Sequence, residues 1–198
     1  MGLFTNDTEV IRLGDQYLTI VSSFYILFTC MFIYTGLMRG AGDTLVGQNI
    51  GANKPERIRS GLIATVKMSG IVTIVTTLII VFGGHLLMGL FTNDTEVIRL
   101  GDQYLTIVSS FYILFTCMFI YTGLMRGAGD TLVPMFISLL SLWIIRIPMA
   151  WYLSGKIGAV GIWWAIPSGW LIGLILSFIY YKSGRWKKKS IVKYSDNL

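Results

Sequence analysis

Apolar residues are gathered into five long runs separated by short polar stretches, approximately Tyr17–Met38, Ser60–Phe82, Tyr104–Met125, Met135–Leu153 and Ile157–Tyr181. Each run has the roughly 20 residues that a helix needs to cross a hydrocarbon core of about 30 Å. Lipid offers no partners to unpaired backbone groups, so each run is predicted to be helical. Alternating segments of about ten residues, the mark of a membrane barrel, are absent. The expected fold class is an all-α membrane protein with about five transmembrane helices.

Composition sharpens this picture. The chain is 54% hydrophobic and 13% charged, with mean hydropathy +0.68, against about 25% charged residues in a soluble domain. A water-soluble enzyme is excluded. No pair of catalytic carboxylates, nucleophile with its base, or metal-spaced cluster stands out, so neither enzymatic chemistry nor a cofactor is expected. Cys30 and Cys117 lie mid-helix and read as small apolar fillers. His85 has no ligand-spaced companion. "RGAGDT" follows no strand and precedes no Lys-Ser/Thr, which rejects a phosphate cradle. The acidic opening residues and long first apolar run do not read as a signal peptide.

Charge then predicts topology. The segment "YKSGRWKKKSIVK" carries six Lys/Arg, the stretch between the first two runs four, and Arg126 adds one; the other side has only Arg12, Arg99 and Lys156. This bias predicts an N-terminus outside and a C-terminus in the cytoplasm. The net charge of +6 therefore reads as topology and attraction to anionic lipid, with no nucleic-acid partner. Lys67 lies near enough to a helix end to snorkel. Arg146, in "LWIIRIPMAWYL", is deeper, where a basic side chain costs roughly 2.5–3.5 kcal/mol. It is expected either to anchor the helix on a carbonyl freed by Pro148 or to line a polar cavity.

One feature follows from no folding rule. Residues 1–46 and 88–133 are identical at all 46 positions. Two crossings separate the copies, so they are expected to run in the same direction. Identical helices with different neighbours cannot both pack optimally. The second copy continues "DTLV-PMFIS" and the first "DTLV-GQNIG". This abrupt change after Val46 reads as a rearranged or joined reading frame, with a tandem duplication retained for function as the alternative.

"VGQNIGANKPERIRSG" at Val46–Gly61 reads as a glycine-rich turn, a helix start at Pro55, and basic anchors at Arg57 and Arg59. It resembles the "GQ-x-x-GA" turn of the multidrug and toxic compound extrusion (MATE) transporters. "LFTNDTEVIRLGDQYLTI", "YTGLMRGAGDTLVP" and "IIRIPMAWYLSGKIGAVGIWWAIPSGWLIG" resemble further pieces of that family, in the same order. The resemblance implies twelve helices in two six-helix lobes, with organic cations expelled by alternating access against inward Na⁺ or H⁺. On this reading residues 47–186 are the last four helices of a partial C-terminal lobe. Residues 1–46 duplicate residues 88–133, and residues 187–198 form a basic cytoplasmic tail. The resemblance also implies integral residence in the lipid bilayer of a bacterial plasma membrane.

All ten Asp/Glu are expected outside the apolar cores, with Asp15 and Asp102 read as helix-start caps. Coupling machinery is therefore expected in the missing helices, the N-terminal lobe and the first two helices of the second lobe, and the chain alone is not expected to transport. Candidate cavity residues are Arg146, Tyr112, Thr116, Tyr121, Gln48 and Asn49, with helix packing as the competing role for the tyrosines and threonine. Gly36/Gly40, Gly123/Gly127 and Gly169/Gly173 suggest close helix contacts. Two other readings stand beside efflux: a non-transporting membrane interaction protein that pairs with another lobe or another copy, and a lipid-linked sugar flippase of related architecture.

Overall fold

The computed structural model describes residues 7–12 and 54–189 and isolated positions between them. The first predicted span, Tyr17–Met38, lies largely outside the described residues. Among the described residues three helices are long and apolar enough to cross a membrane, and a bent pair makes a fourth span.

Helix α1 (Pro55–Gly89) begins with proline at its first position, where the missing N–H is no loss, and Glu56 in the first turn suits the helix dipole. It starts five residues before the predicted Ser60, so Lys67 lies farther from the helix end than expected, although it is exposed.

The predicted span Tyr104–Met125 is in fact two helices, α2 (Thr95–Ser110) and α3 (Tyr112–Gly127), bent by 42°. Asp94 caps α2, its Oδ1 accepting from the N–H groups of Glu96 at 2.9 Å and Val97 at 3.3 Å. This corrects the capping role expected for Asp102, which is the eighth residue of α2 and half-buried. No proline or glycine causes the bend. Ser110 Oγ instead donates to the Thr106 carbonyl at 2.6 Å, back-bonding of a kind that bends helices. Thr77 of α1 donates to the Ser109 carbonyl at 2.9 Å.

The next span comprises α4 (Leu132–Leu139), a π-helical turn at Leu140–Ile145, and α5 (Arg146–Ile157). The π turn ends just before Pro148, whose ring clashes with the fourth carbonyl upstream and whose nitrogen cannot donate. Gly158, at φ 66°, turns the chain into α6 (Ala159–Ser183). There a Gly161 side chain would collide with the Leu153 carbonyl, so α5 and α6 form a tightly closed hairpin. A short 3₁₀ turn, Arg185–Lys189, follows.

The bent α2–α3 pair lies between α1 and α6. Val97, Gly101, Leu105 and Val108 fall on one face of α2 and are buried. They pack with Ile80 and Met88 of α1, Tyr112, Phe115 and Met118 of α3, and Ile166 and Trp170 of α6. A second cluster joins Val46, Ile58, Leu124, Met125, Ala128 and Trp186.

Candidate functional site

A seam of buried hydroxyls runs through the middle of this bundle. Ser69, Thr73 and Thr77 recur every four residues along α1, so they share one face. Thr73 Oγ1 lies 3.1 Å from Thr116 Oγ1, a buried hydrogen bond between α1 and α3. Thr77 crosses to the Ser109 carbonyl beside the bend. Farther along, Ser141 Oγ in the π turn contacts Met118 Sδ at 3.9 Å and donates back to the Ser138 carbonyl of α4 at 3.3 Å. In a lipid-like interior such hydroxyls hydrogen-bond across helices and hold them together.

The glycines of α6 let this seam close. A Cβ on Gly169 would lie 2.6 Å from the Ser141 carbonyl oxygen, and one on Gly173 would overlap Met118 Sδ and crowd Ser141. The Gly169/Gly173 pair thus holds α6 against the π turn and α3. In contrast, Gly36 and Gly40 have nothing within 4 Å.

The six residues read from the sequence fall in separate places. Tyr112 and Thr116, one turn apart on α3, are both buried; Tyr112 lies 6.1 Å from the Trp170 ring. Tyr121 belongs to an aromatic group near the end of α6, 5.2 Å from Tyr181 and 5.7 Å from Phe178. Arg146 opens α5 directly after the π turn, half-buried, with its Cβ against Gly169. Among the described residues it has no ion-pair partner. Gln48 and Asn49 close the turn into α1, their carbonyls accepting from Ala52 and Lys54 at 2.9 Å. Two cavities, of about 430 and 350 Å³, open beside the α1–α2 turn; Thr8, Arg12, Asp15 and Asp94 are among their lining residues, and none of these six candidates is.

Two features escaped the sequence reading. The Ser69, Thr73, Thr77 spacing was visible in "SGIVTIVTTL" but was hidden by the apolar residues around it. Asp130 is almost wholly buried in the α3–α4 turn, and Tyr180 of α6 donates to its Oδ2 at 2.5 Å. Gly129, at φ 93°, gives that turn the conformation that brings Asp130 inward. No cluster of three metal-ligating side chains occurs among the described residues.

Comparison with known proteins gives the arrangement a setting. A family model described as MatE matches residues 10–152, a stretch that runs through the Val46–Gly47 join. The chain is 32% identical over 147 residues to the probable multidrug resistance protein YpnP of Bacillus subtilis, covering 74% of this chain and 33% of that protein. It is 27% identical over 155 residues to the probable multidrug resistance protein NorM of Thermotoga maritima, covering 75% of this chain and 32% of that protein. Among solved structures, the eukaryotic MATE transporter AtDTX14 superposes with a TM-score of 0.77 at 20% identity, over 88% of this chain and 40% of that one. An inward-facing multidrug resistance MATE family transporter gives 0.68 at 15%, over 83% and 40%. The chain therefore spans about a third of the length of the relatives it matches.

Proposed function

The chain belongs to the MatE family, and from that premise we propose that it is part of a multidrug efflux antiporter that expels organic cations against inward Na⁺ or H⁺. The observation that carries this reading is the joint match of family and fold over most of the chain. The proposed role of this piece is one wall of a transport pathway, its hydroxyl seam and bent helices supplying polar lining and hinge points. The proposed orientation keeps the N-terminus outside and the basic C-terminal segment in the cytoplasm, as its Lys/Arg excess favours.

The piece does not carry transport by itself. It spans about a third of its relatives, and the carboxylates at Asp94, Glu96 and Asp130 are at helix starts or in a turn. Asp102 lies deeper, two turns inside a bent span, with Asp15 as its counterpart in the first copy, and we assign Asp102 any contribution this piece makes to cation binding. The remaining coupling groups belong to the part of the relatives that this chain does not cover. Cells expressing the chain alone should extrude a fluorescent organic cation no faster than vector controls. Clear efflux that depends on Na⁺ or H⁺ would refute this.

A non-transporting interaction role is the second reading. It is favoured by the first copy of the duplicated segment, where Tyr25 and Ile33 are more than half exposed. The helix pairing it requires would show as crosslinked assemblies without efflux.

A further inference from the structure

The two identical segments have very different surroundings. Val97, Leu105, Tyr112 and Ile120 of the second copy are each at most 4% exposed, whereas Val10, Leu18, Tyr25 and Ile33 of the first are each at least 47% exposed. The helix starts are nonetheless capped alike. Asp7 caps the first copy as Asp94 caps the second, with distances of 2.9 and 3.3 Å to the equivalent N–H groups.

Described residues near both ends of the first copy lie close to the second copy's ends. Thr8, Ile11, Arg12 and Asp15 share a cavity with Thr92, Asp94 and Val97 at one end of the bundle. At the other end Val46 packs with Ile58, Leu124, Met125 and Ala128. The described residues at the two ends of the first copy thus lie beside the matching ends of α2–α3. Residues 47–54 join the first copy to one end of α1, and residues 90–94 join the second copy to the other.

We infer that the groove between α1 and α6 is a binding site for either copy, so that residues 7–46 of the same chain can replace residues 94–133 within it. Every side chain the groove contacts on the second copy has an identical counterpart on the first. The packing energies therefore cancel, and the connections decide occupancy. The two connecting turns differ by less than a doubling in length, which changes closure entropy little. One feature favours the second copy: it continues directly into α4. The first copy is accordingly the minor occupant, within the range of about 0.1–10% that a gap of this kind allows. A minor occupant of that size is trapped efficiently by an irreversible bond.

Thr73 supplies the position for that bond, because it faces Thr116 in the groove at 3.1 Å between hydroxyls, and Thr29 is the counterpart of Thr116. In the full chain with Cys30→Ser and Cys117→Ser, one variant carries Thr73→Cys with Thr116→Cys and another Thr73→Cys with Thr29→Cys. Under mild oxidation in membranes the first pair should close quickly and the second slowly, both within one chain. Adding Tyr112→Ala and Phe115→Ala should speed closure of the second pair at least about tenfold, since core truncations of this size exceed one decade in an equilibrium constant. Adding Tyr25→Ala and Phe28→Ala should slow it by a similar factor. Three results would overturn the inference: no Thr73–Thr29 disulfide while Thr73–Thr116 forms, closure only between chains, or closure indifferent to both pairs of truncations.

Discussion

The Thr77 hydroxyl donates to the Ser109 carbonyl across 2.9 Å, one residue short of Ser110, where α2 ends and the chain turns by 42° into α3. A bend in a membrane span exposes backbone groups that lipid cannot satisfy. Thr77 supplies a partner from the neighbouring helix. One turn away on α1, Thr73 meets Thr116 of α3. The two contacts bracket the bend and tie both of its arms to α1.

Thr77→Val should loosen the bend while leaving the helices intact. The expected loss of stability in detergent unfolding is about 0.6–1.7 kcal/mol, the range for interhelical hydrogen bonds in membranes. Thr77→Ser should retain most of it. A Thr73/Thr116 double-mutant cycle should give a coupling of about 0.6 kcal/mol or more.

The glycines of the second half should respond with opposite signs. Gly155 has nothing within 4 Å of an added Cβ, and it sits inside α5. Gly155→Ala should therefore be neutral or stabilise by up to about 1 kcal/mol through helix propensity. Gly169→Ala places its methyl 2.6 Å from a backbone oxygen and should destabilise by about 1–3 kcal/mol, as overpacking does. Thermal unfolding of the two variants side by side checks the contrast.

Matched substitutions in the two copies should be unequal. Ile120 is 4% exposed and Ile33 58%. Ile120→Ala should cost about 2 kcal/mol or more, whereas Ile33→Ala should fall within about 0.5 kcal/mol of the parent. Exchange of copies in the groove caps the first loss at the gap between the two occupants. Replacing both isoleucines should then cost more than the sum of the single losses, measurable by denaturant unfolding.

Tyr180→Phe should free the turn between α3 and α4. Asp130 is 1% exposed, and losing a hydrogen bond to a buried charged group costs about 1–3 kcal/mol. Hydrogen exchange should speed up through residues 127–131 while the middle of α6 remains protected.

How much of this was legible in the sequence depended on the period of the signal. Four of the spans appeared as apolar runs, because lipid solubility is a matter of composition over about 20 residues. The Gly169/Gly173 approach was visible because small residues four apart leave a groove on one helix face. Pro148 marked the span that contains the π turn. The bend at Phe111 was not visible, since "IVSSFYIL" has no proline or glycine and its cause is partly a hydroxyl from another helix. The site was less legible than the fold. Helical spacing puts Tyr112, Thr116 and Tyr121 on or near one face, but Tyr121 packs with Tyr181 and Phe178 while Tyr112 packs with Trp170, and Arg146 and Gln48 lie elsewhere. Above all, two identical segments contain no information about which of them occupies the core. That is decided by the connections at their ends, where the second copy continues directly into α4.

Efflux in the presence of the portion of its relatives that this chain does not cover tests the account most directly. The measurement is the rate at which cells lose a fluorescent organic cation when the chain is co-expressed with the uncovered portion of a relative such as YpnP, each alone serving as control. The account predicts Na⁺- or H⁺-dependent efflux from the pair, reduced by Asp102→Asn, and none from either piece alone. If the two pieces assemble in the membrane and no efflux appears, the proposal that this chain forms one wall of a transport pathway is contradicted.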